Sequence, residues 1–203
     1  MYNKDAIQFL KKDPLLVEII TKIGDYKIKI IKNHYESLVE AIINQQLTGS
    51  AANRISKNFR TLYSSKFPKP TDVINTPTSK LQKTGLSKMK IQYIKKLSQK
   101  IISKEVDLDS LSKLADDEVI IELTKIKGIG RWTAEMFLIF SLGRKDVLPV
   151  GDLGLKKGIQ QLFSMKKLPE ETKVQKIAER WRPYRSIATW YLWKSLKKFD
   201  TIG

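Results

Sequence analysis

Apolar positions recur along this chain at spacings of three and four, the period that gives a helix one buried face. In ESLVEAIINQQL at 36–47 the stripe runs through Leu38, Ala41, Ile42 and Gln45. Ala51, Ala52, Ile55, Phe59 and Leu62 repeat the habit over 50–63. KMKIQYIKKLSQKIIS at 88–103 sets Ile91, Ile94, Leu97, Ile101 and Ile102 inward against outward lysines. Pro68, Pro70 and Pro77 predict a loop with a short turn between these segments, because proline cannot continue a helix. Strict alternation is scarce: KIKIIK at 27–32 is the one tempting strand, and it suits the start of a helix equally well. With no internal repeat, low-complexity tract or long linker, the pattern predicts an all-α fold of many short helices.

The most informative stretch is DDEVIIELTKIKGIGRWTAEMFLIFSLG at 116–143. Asp116 or Asp117 is placed to cap a helix with Val119, Ile120, Leu123 and Ile126 on one face. Gly128-Ile129-Gly130 follows, then Arg131-Trp132-Thr133-Ala134 opens an almost wholly apolar helix. Glycines on either side of one aliphatic residue let the backbone turn tightly while Ile129 plugs the gap between helices. They also let backbone N–H groups approach a phosphate at the start of the second helix. A bare GxG would mean an ordinary αα-hairpin; apolar helix, KGIGRWTA, apolar helix reads as a helix–hairpin–helix motif, which grips a DNA backbone without reading its sequence.

Composition points the same way. Lys and Arg number 38 against 21 Asp and Glu, a formal charge of +17, and such a field favours a polyanion, nucleic acid before anionic lipid. The lysines are scattered rather than segregated, which argues against a membrane surface. There is no cysteine, which excludes disulfides, a thiol nucleophile, Cys-ligated zinc and iron–sulfur clusters. The single histidine, His34, leaves no His-rich metal site and reads as a polar residue on an N-terminal helix. The N-terminus lacks the apolar core of a signal peptide, and no apolar run approaches the roughly 20 residues that span a bilayer. The expected protein is soluble, intracellular and found with the DNA.

The hairpin resembles that of the helix–hairpin–helix DNA glycosylase superfamily, and GIGRWTAEMFLIF is especially similar to the 3-methyladenine DNA glycosylase II (alkylbase DNA glycosylase) branch. AIINQQLTGSAANRI at 41–55, Gly85-Leu86-Ser87 with Lys88 and Tyr93, LPVGDLGLKKG at 148–158 and WRPYRSIATWYLW at 181–193 agree with that branch in the same order. The likeness covers roughly residues 36–195. It implies a helical subdomain over 36–148 containing the hairpin, a second built from 1–35 and 149–203, and a cleft between them. The activity it implies is base excision repair: hydrolysis of the N-glycosidic bond of alkylated purines in damaged duplex DNA, by a monomer. No cofactor is implied, and a monovalent cation at the hairpin backbone is left open. The alternatives are a glycosylase for oxidised or deaminated bases and a non-catalytic DNA-binding module.

Residue by residue, the resemblance assigns catalysis to Asp152. Read by itself, Asp152 is the N-cap of a helix over 153–163, and both roles can hold together. A carboxylate facing a sugar stabilises an oxocarbenium-like transition state or orients the attacking water. Strand-cleaving members carry a lysine two positions after the second hairpin glycine, where its amine forms a Schiff base; here that position is Trp132, which implies a monofunctional enzyme. Trp132 and Trp193 are the expected aromatic walls of the base pocket, drawing a cationic base by stacking and cation–π attraction. Met136, Leu153 and Tyr184 are its further lining; Met136 and Leu153 stand where some relatives have aromatics. Lys127, Gly128, Ile129, Gly130, Arg131 and Thr133 are the expected DNA contacts of the hairpin. Gln45, Gln46 and Leu47 form the stretch that fills the hole left by a flipped base, with Gln46 favoured as the inserted residue.

Overall fold

The computed structural model describes residues 4–47, 49–64 and 66–196. Its elements are helical, with no strand among the described residues. They form two compact units, residues 31–142 and residues 1–30 with 143–203.

The 31–142 unit is built on α3 (His34–Asn44) and α9 (Arg131–Phe140), after α1 (Lys4–Leu10) and α2 (Leu16–Ile23) of the other unit. Both central helices are buried almost all round: α3 from Ser37 through Ile43 apart from Glu40, α9 from Thr133 through Ile139. A helix apolar on every side belongs in the middle of a core. Around them lie α4 (Gly49–Thr61), α5 (Pro70–Asn75), α6 (Thr78–Lys83), α7 (Lys88–Ile102) and α8 (Asp116–Thr124). Side chains set the starts: Asn33 accepts the Glu36 N–H at 3.1 Å and Ser87 the Lys90 N–H at 3.2 Å, each satisfying a donor the first turn leaves orphaned.

Several expectations need correction. Pro68 lies in a loop as expected, but Pro70 and Pro77 start helices: Pro70 is the first residue of α5 and Pro77 the N-cap of α6, since a first-turn proline forfeits no intrahelical bond. Helix α8 is capped from Ala115, whose N–H is accepted by the Glu118 carboxylate at 2.8 Å; Asp116 and Asp117 lie inside its first turn. Helix α3 stops at Asn44, three residues early. Ile102 is 47% exposed, because the Ser103 cap ends α7 there. KIKIIK is neither strand nor helix; no strand among the described residues pairs with it, and its Ile30 is 39% exposed.

In the unit of residues 1–30 and 143–203, α10 (Leu153–Leu162) and α11 (Glu171–Ala178) precede α12 (Arg185–Ser195). Helix α12 is buried continuously from Ser186 to Trp193 and packs against α2 and α10. Gly158 lets α10 approach: an added Cβ would stand 2.7 Å from Leu192 Cβ and 3.2 Å from its carbonyl oxygen. Gly158→Ala is therefore expected to destabilise the fold by about 1–3 kcal/mol, the scale of overpacking against a backbone that cannot yield. Urea unfolding reads it as a lower midpoint, and an unchanged midpoint would show that the two helices slide apart freely. Among the described residues, no helix is long and apolar enough to cross a membrane.

Candidate functional site

The hairpin comprises α8, the turn 125–130 and α9. Its glycines serve different ends. Gly128 has φ +95°, a left-handed conformation, and an added Cβ there would lie 2.1 Å from Cγ of Tyr93. The turn needs a residue without a side chain on both counts. Gly130 has φ −93° and open space within 4 Å of an added Cβ, so nothing in the protein demands glycine. As the N-cap of α9 it brings no side-chain acceptor to that helix start, where the leading N–H groups have no intrahelical partner and a positive dipole end favours an anion. Ile129 is 4% exposed and Ile126 1%, so the aliphatic plug is in place.

The expected DNA contacts divide accordingly. Lys127 and Gly130 are exposed. The Arg131 side chain is 64% exposed, its Nε donating to the buried Glu135 carboxylate at 3.0 Å. The side chains of Ile129 and Thr133 are buried, so they can meet a phosphate only through their backbone. Gln45 also has another task. Its amide donates to the Gly128 carbonyl at 2.8 Å and the Thr133 hydroxyl at 2.9 Å, one in the turn and one in the first turn of α9. Gln46, at φ +55°, and Leu47, 39% exposed, follow it outward. Gln45, Gln46, Met89, Lys90, Tyr93 and Gly128–Gly130 line one hollow of ≈ 350 Å³. Met89 and Lys90 escaped the sequence reading, although both lie within the stretch from Gly85 to Tyr93 that it singled out. Trp132 is half-buried in this unit and Met136 is 6% exposed, part of its core.

Asp152 lies in the other unit. It is the N-cap of α10, and its Oδ1 accepts the Leu155 N–H at 2.6 Å. The same oxygen accepts the Trp193 indole N–H at 2.7 Å. Hydrogen bonds to a charged acceptor contribute about 1.5–3 kcal/mol each, so the carboxylate is held from two directions. Trp193 is 2% exposed, so it offers Asp152 a donor rather than presenting a face to a base. Gly154 makes room for this pair: an added Cβ would meet Trp193 Cδ1 at 2.8 Å and Asp152 Oδ1 at 3.0 Å. Leu153 is 53% exposed beside them. Tyr184 stands at the N-cap of α12, with its ring edge-on to Phe9 at 5.5 Å.

The segment leading to Asp152 is fixed by a clasp that the sequence reading missed. Arg185 binds both Asp146 carboxylate oxygens, at 2.8 and 3.0 Å, and the Asp146 carbonyl at 2.8 Å. Arg182 adds a bond to the same carboxylate at 3.0 Å. Ser186 accepts the Val147 N–H at 2.9 Å and gives its own N–H to the Lys145 carbonyl at 2.9 Å. Bidentate arginine pairing fixes orientation as well as distance, and the start of α12 thereby holds residues 145–147. Other chemistry is poorly served. His34 Nδ1 meets the Ser141 hydroxyl at 2.8 Å, but Ser141 is 5% exposed and its hydroxyl donates to the Ile31 carbonyl at 3.1 Å. Among the described residues no group of three or more His, Cys, Asp or Glu could hold a metal ion.

The sequence model of the HhH-GPD superfamily of base excision DNA repair proteins matches residues 39–183. The DNA-3-methyladenine glycosylase 1 of Schizosaccharomyces pombe is 39% identical over 171 residues, covering 83% of this chain and 75% of that one. The alkylbase DNA glycosidase-like protein mag2 of the same yeast is 35% identical over 181 residues, covering 87% and 85%. Among solved structures, the S. pombe 3-methyladenine DNA glycosylase in complex with abasic DNA superposes with a TM-score of 0.90 at 34% identity, covering 96% of this chain and 98% of that one.

Proposed function

This chain belongs to the HhH-GPD superfamily of base excision DNA repair proteins, and from that premise we propose that it is a monofunctional DNA glycosylase releasing alkylated purines, such as 3-methyladenine, from duplex DNA. The observation that carries the reading is Asp152, whose carboxylate is fixed at the start of α10 by the Leu155 and Trp193 N–H groups. Alkylation at a ring nitrogen places positive charge on a purine and makes it a good leaving group. Such a base needs no general acid, only a negative charge beside the sugar as the oxocarbenium ion develops and a water to capture it. Asp152 supplies the charge and orients the water. Hairpin amides, Lys127 and Arg131 grip phosphates, Gln46 fills the hole in the duplex, and Trp132 stacks on the extruded base.

Position 132 also decides what happens next. A tryptophan offers no amine for a Schiff base, so the reaction ends at an abasic site in an intact strand. The test is a panel of duplexes, each with one alkylated, oxidised or deaminated base, incubated with and without borohydride. Release of 3-methyladenine with no trapped adduct, and strand breakage only on later alkali, is the expected result. A borohydride-trapped complex would overturn the monofunctional assignment, and preference for a neutral oxidised base would overturn the substrate class.

A further inference from the structure

The turn that ends α3 is tied on one side to the hairpin and on the other to α7. Gln46 holds φ +55°, a conformation that costs a non-glycine residue energy and persists only where its surroundings impose it. Those surroundings are Gln45 and Lys90. On one side, the Gln45 amide bridges the Gly128 carbonyl and the Thr133 hydroxyl, 83 and 88 residues away in sequence. On the other, the Lys90 ammonium binds the Ile43 and Gln45 carbonyls, both at 2.7 Å, satisfying acceptors that a helix C-terminus leaves orphaned. Partial burial lowers the pKa of this lysine, as expected of a cation turned to protein carbonyls rather than to water. Gln46 is exposed between these two anchors and lines the same hollow as Gly128–Gly130.

We propose that Gln45 is a positioning residue, braced by Lys90, that locks the turn 45–47 to the hairpin, so that phosphate grip and side-chain insertion take place at one fixed spacing. Gln45 does not enter the DNA; both its amide hydrogens are engaged within the protein. The proposal rests on the glycosylase reading above, and it separates two steps that share a surface. Phosphate binding needs only the hairpin. Holding a base out of the stack needs the inserted side chain at the right distance from the gripped phosphates, and a displacement of an ångström is enough to slow the chemistry that follows.

The test uses Gln45→Met, which keeps length and loses both donors, and Gln45→Glu, which can still accept the Thr133 proton but gives nothing to the Gly128 carbonyl. Each is compared with wild type for thermal stability, affinity for undamaged duplex, fluorescence of 2-aminopurine beside a lesion, and single-turnover excision at saturating enzyme. Both variants should bind undamaged DNA within about threefold of wild type, as substitutions outside an interface do. Excision and the fluorescence rise should fall about tenfold in Gln45→Met, the scale of two hydrogen bonds lost, and by less in Gln45→Glu, which keeps the Thr133 bond. Lys90→Met should act in the same direction, and its combination with Gln45→Met should cost little more than either alone. Wild-type excision in the Gln45 variants overturns the proposal, as does a loss of affinity equal to the loss of rate, which would make Gln45 a part of the phosphate grip. A wild type that raises fluorescence but releases no base refutes the glycosylase reading instead, and the clamp is then judged on fluorescence.

Discussion

Asp152→Asn is expected to bind DNA as the wild type does and to release 3-methyladenine more slowly by a factor on the order of 10²–10³, the loss seen when one preorganised electrostatic contact to a transition state is removed. The substitution retains two of the bonds that hold the carboxylate. Those from the Leu155 backbone and the Trp193 indole both fall on Oδ1, and the carbonyl oxygen of asparagine can accept the same two. The α10 cap is retained, since asparagine caps about as well as aspartate. What disappears is negative charge at the point where the sugar becomes cationic. Asp152→Ala would blur the result: it would strip the cap and leave the indole N–H without this acceptor inside a residue 2% exposed, mixing a stability loss with a catalytic one. The measurement is single-turnover release from a duplex with one 3-methyladenine, beside a melting curve and an anisotropy titration. Equal rates in mutant and wild type would remove Asp152 from the chemistry.

The same residues show what a sequence discloses. Helical period, the turn of the hairpin and the capping place of Asp152 are local matters, settled within a few residues, and all are found at the positions their patterns indicate. The misread helix starts are local too, but they turn on which of several adjacent candidates the cap selects. Glu118 reaching back to Ala115 beats two aspartates nearer by, and Pro70 opens α5 where a break was expected. What the sequence hides is long-range and specific. Nothing in the spacing of Trp193 says that its N–H, rather than its ring face, is the useful part; that follows from an acceptor 41 residues earlier and from the bare Cα of Gly154. Gln45 continues an apolar stripe by position, yet its two acceptors come from the hairpin. The Asp146 clasp with Arg182 and Arg185 likewise closes over more than thirty residues. A polar side chain finds its partner only once helices with separate patterns have packed.

Gly128→Ala should do more damage than any other single methyl added to the hairpin, and Gly130→Ala shows why. At Gly128 the left-handed backbone costs an L-residue about 1–2 kcal/mol. The methyl must also displace Tyr93, whose Cγ stands 2.1 Å from where it would lie; overpacking of this kind costs about 1–3 kcal/mol more. The added methyl displaces the turn of the hairpin itself, so destabilisation and loss of DNA affinity should arrive together. Removing the ring in Gly128→Ala/Tyr93→Ala should recover the part due to the clash and leave the part due to φ. At Gly130 neither term exists: the backbone is extended and the space open. Gly130→Ala should therefore melt within about 0.5 kcal/mol of wild type, as surface substitutions do, while its methyl stands where a phosphate must approach the start of α9. Undamaged duplex titrated at several salt concentrations reads all of this, because phosphate binding falls linearly with the logarithm of salt. The expected signature is lower affinity in both alanine variants and lower stability in Gly128→Ala alone. Wild-type affinity in Gly130→Ala would take the hairpin amides out of the interface, and wild-type stability in Gly128→Ala would mean that the Tyr93 ring swings aside and the backbone leaves its left-handed φ, both at no cost.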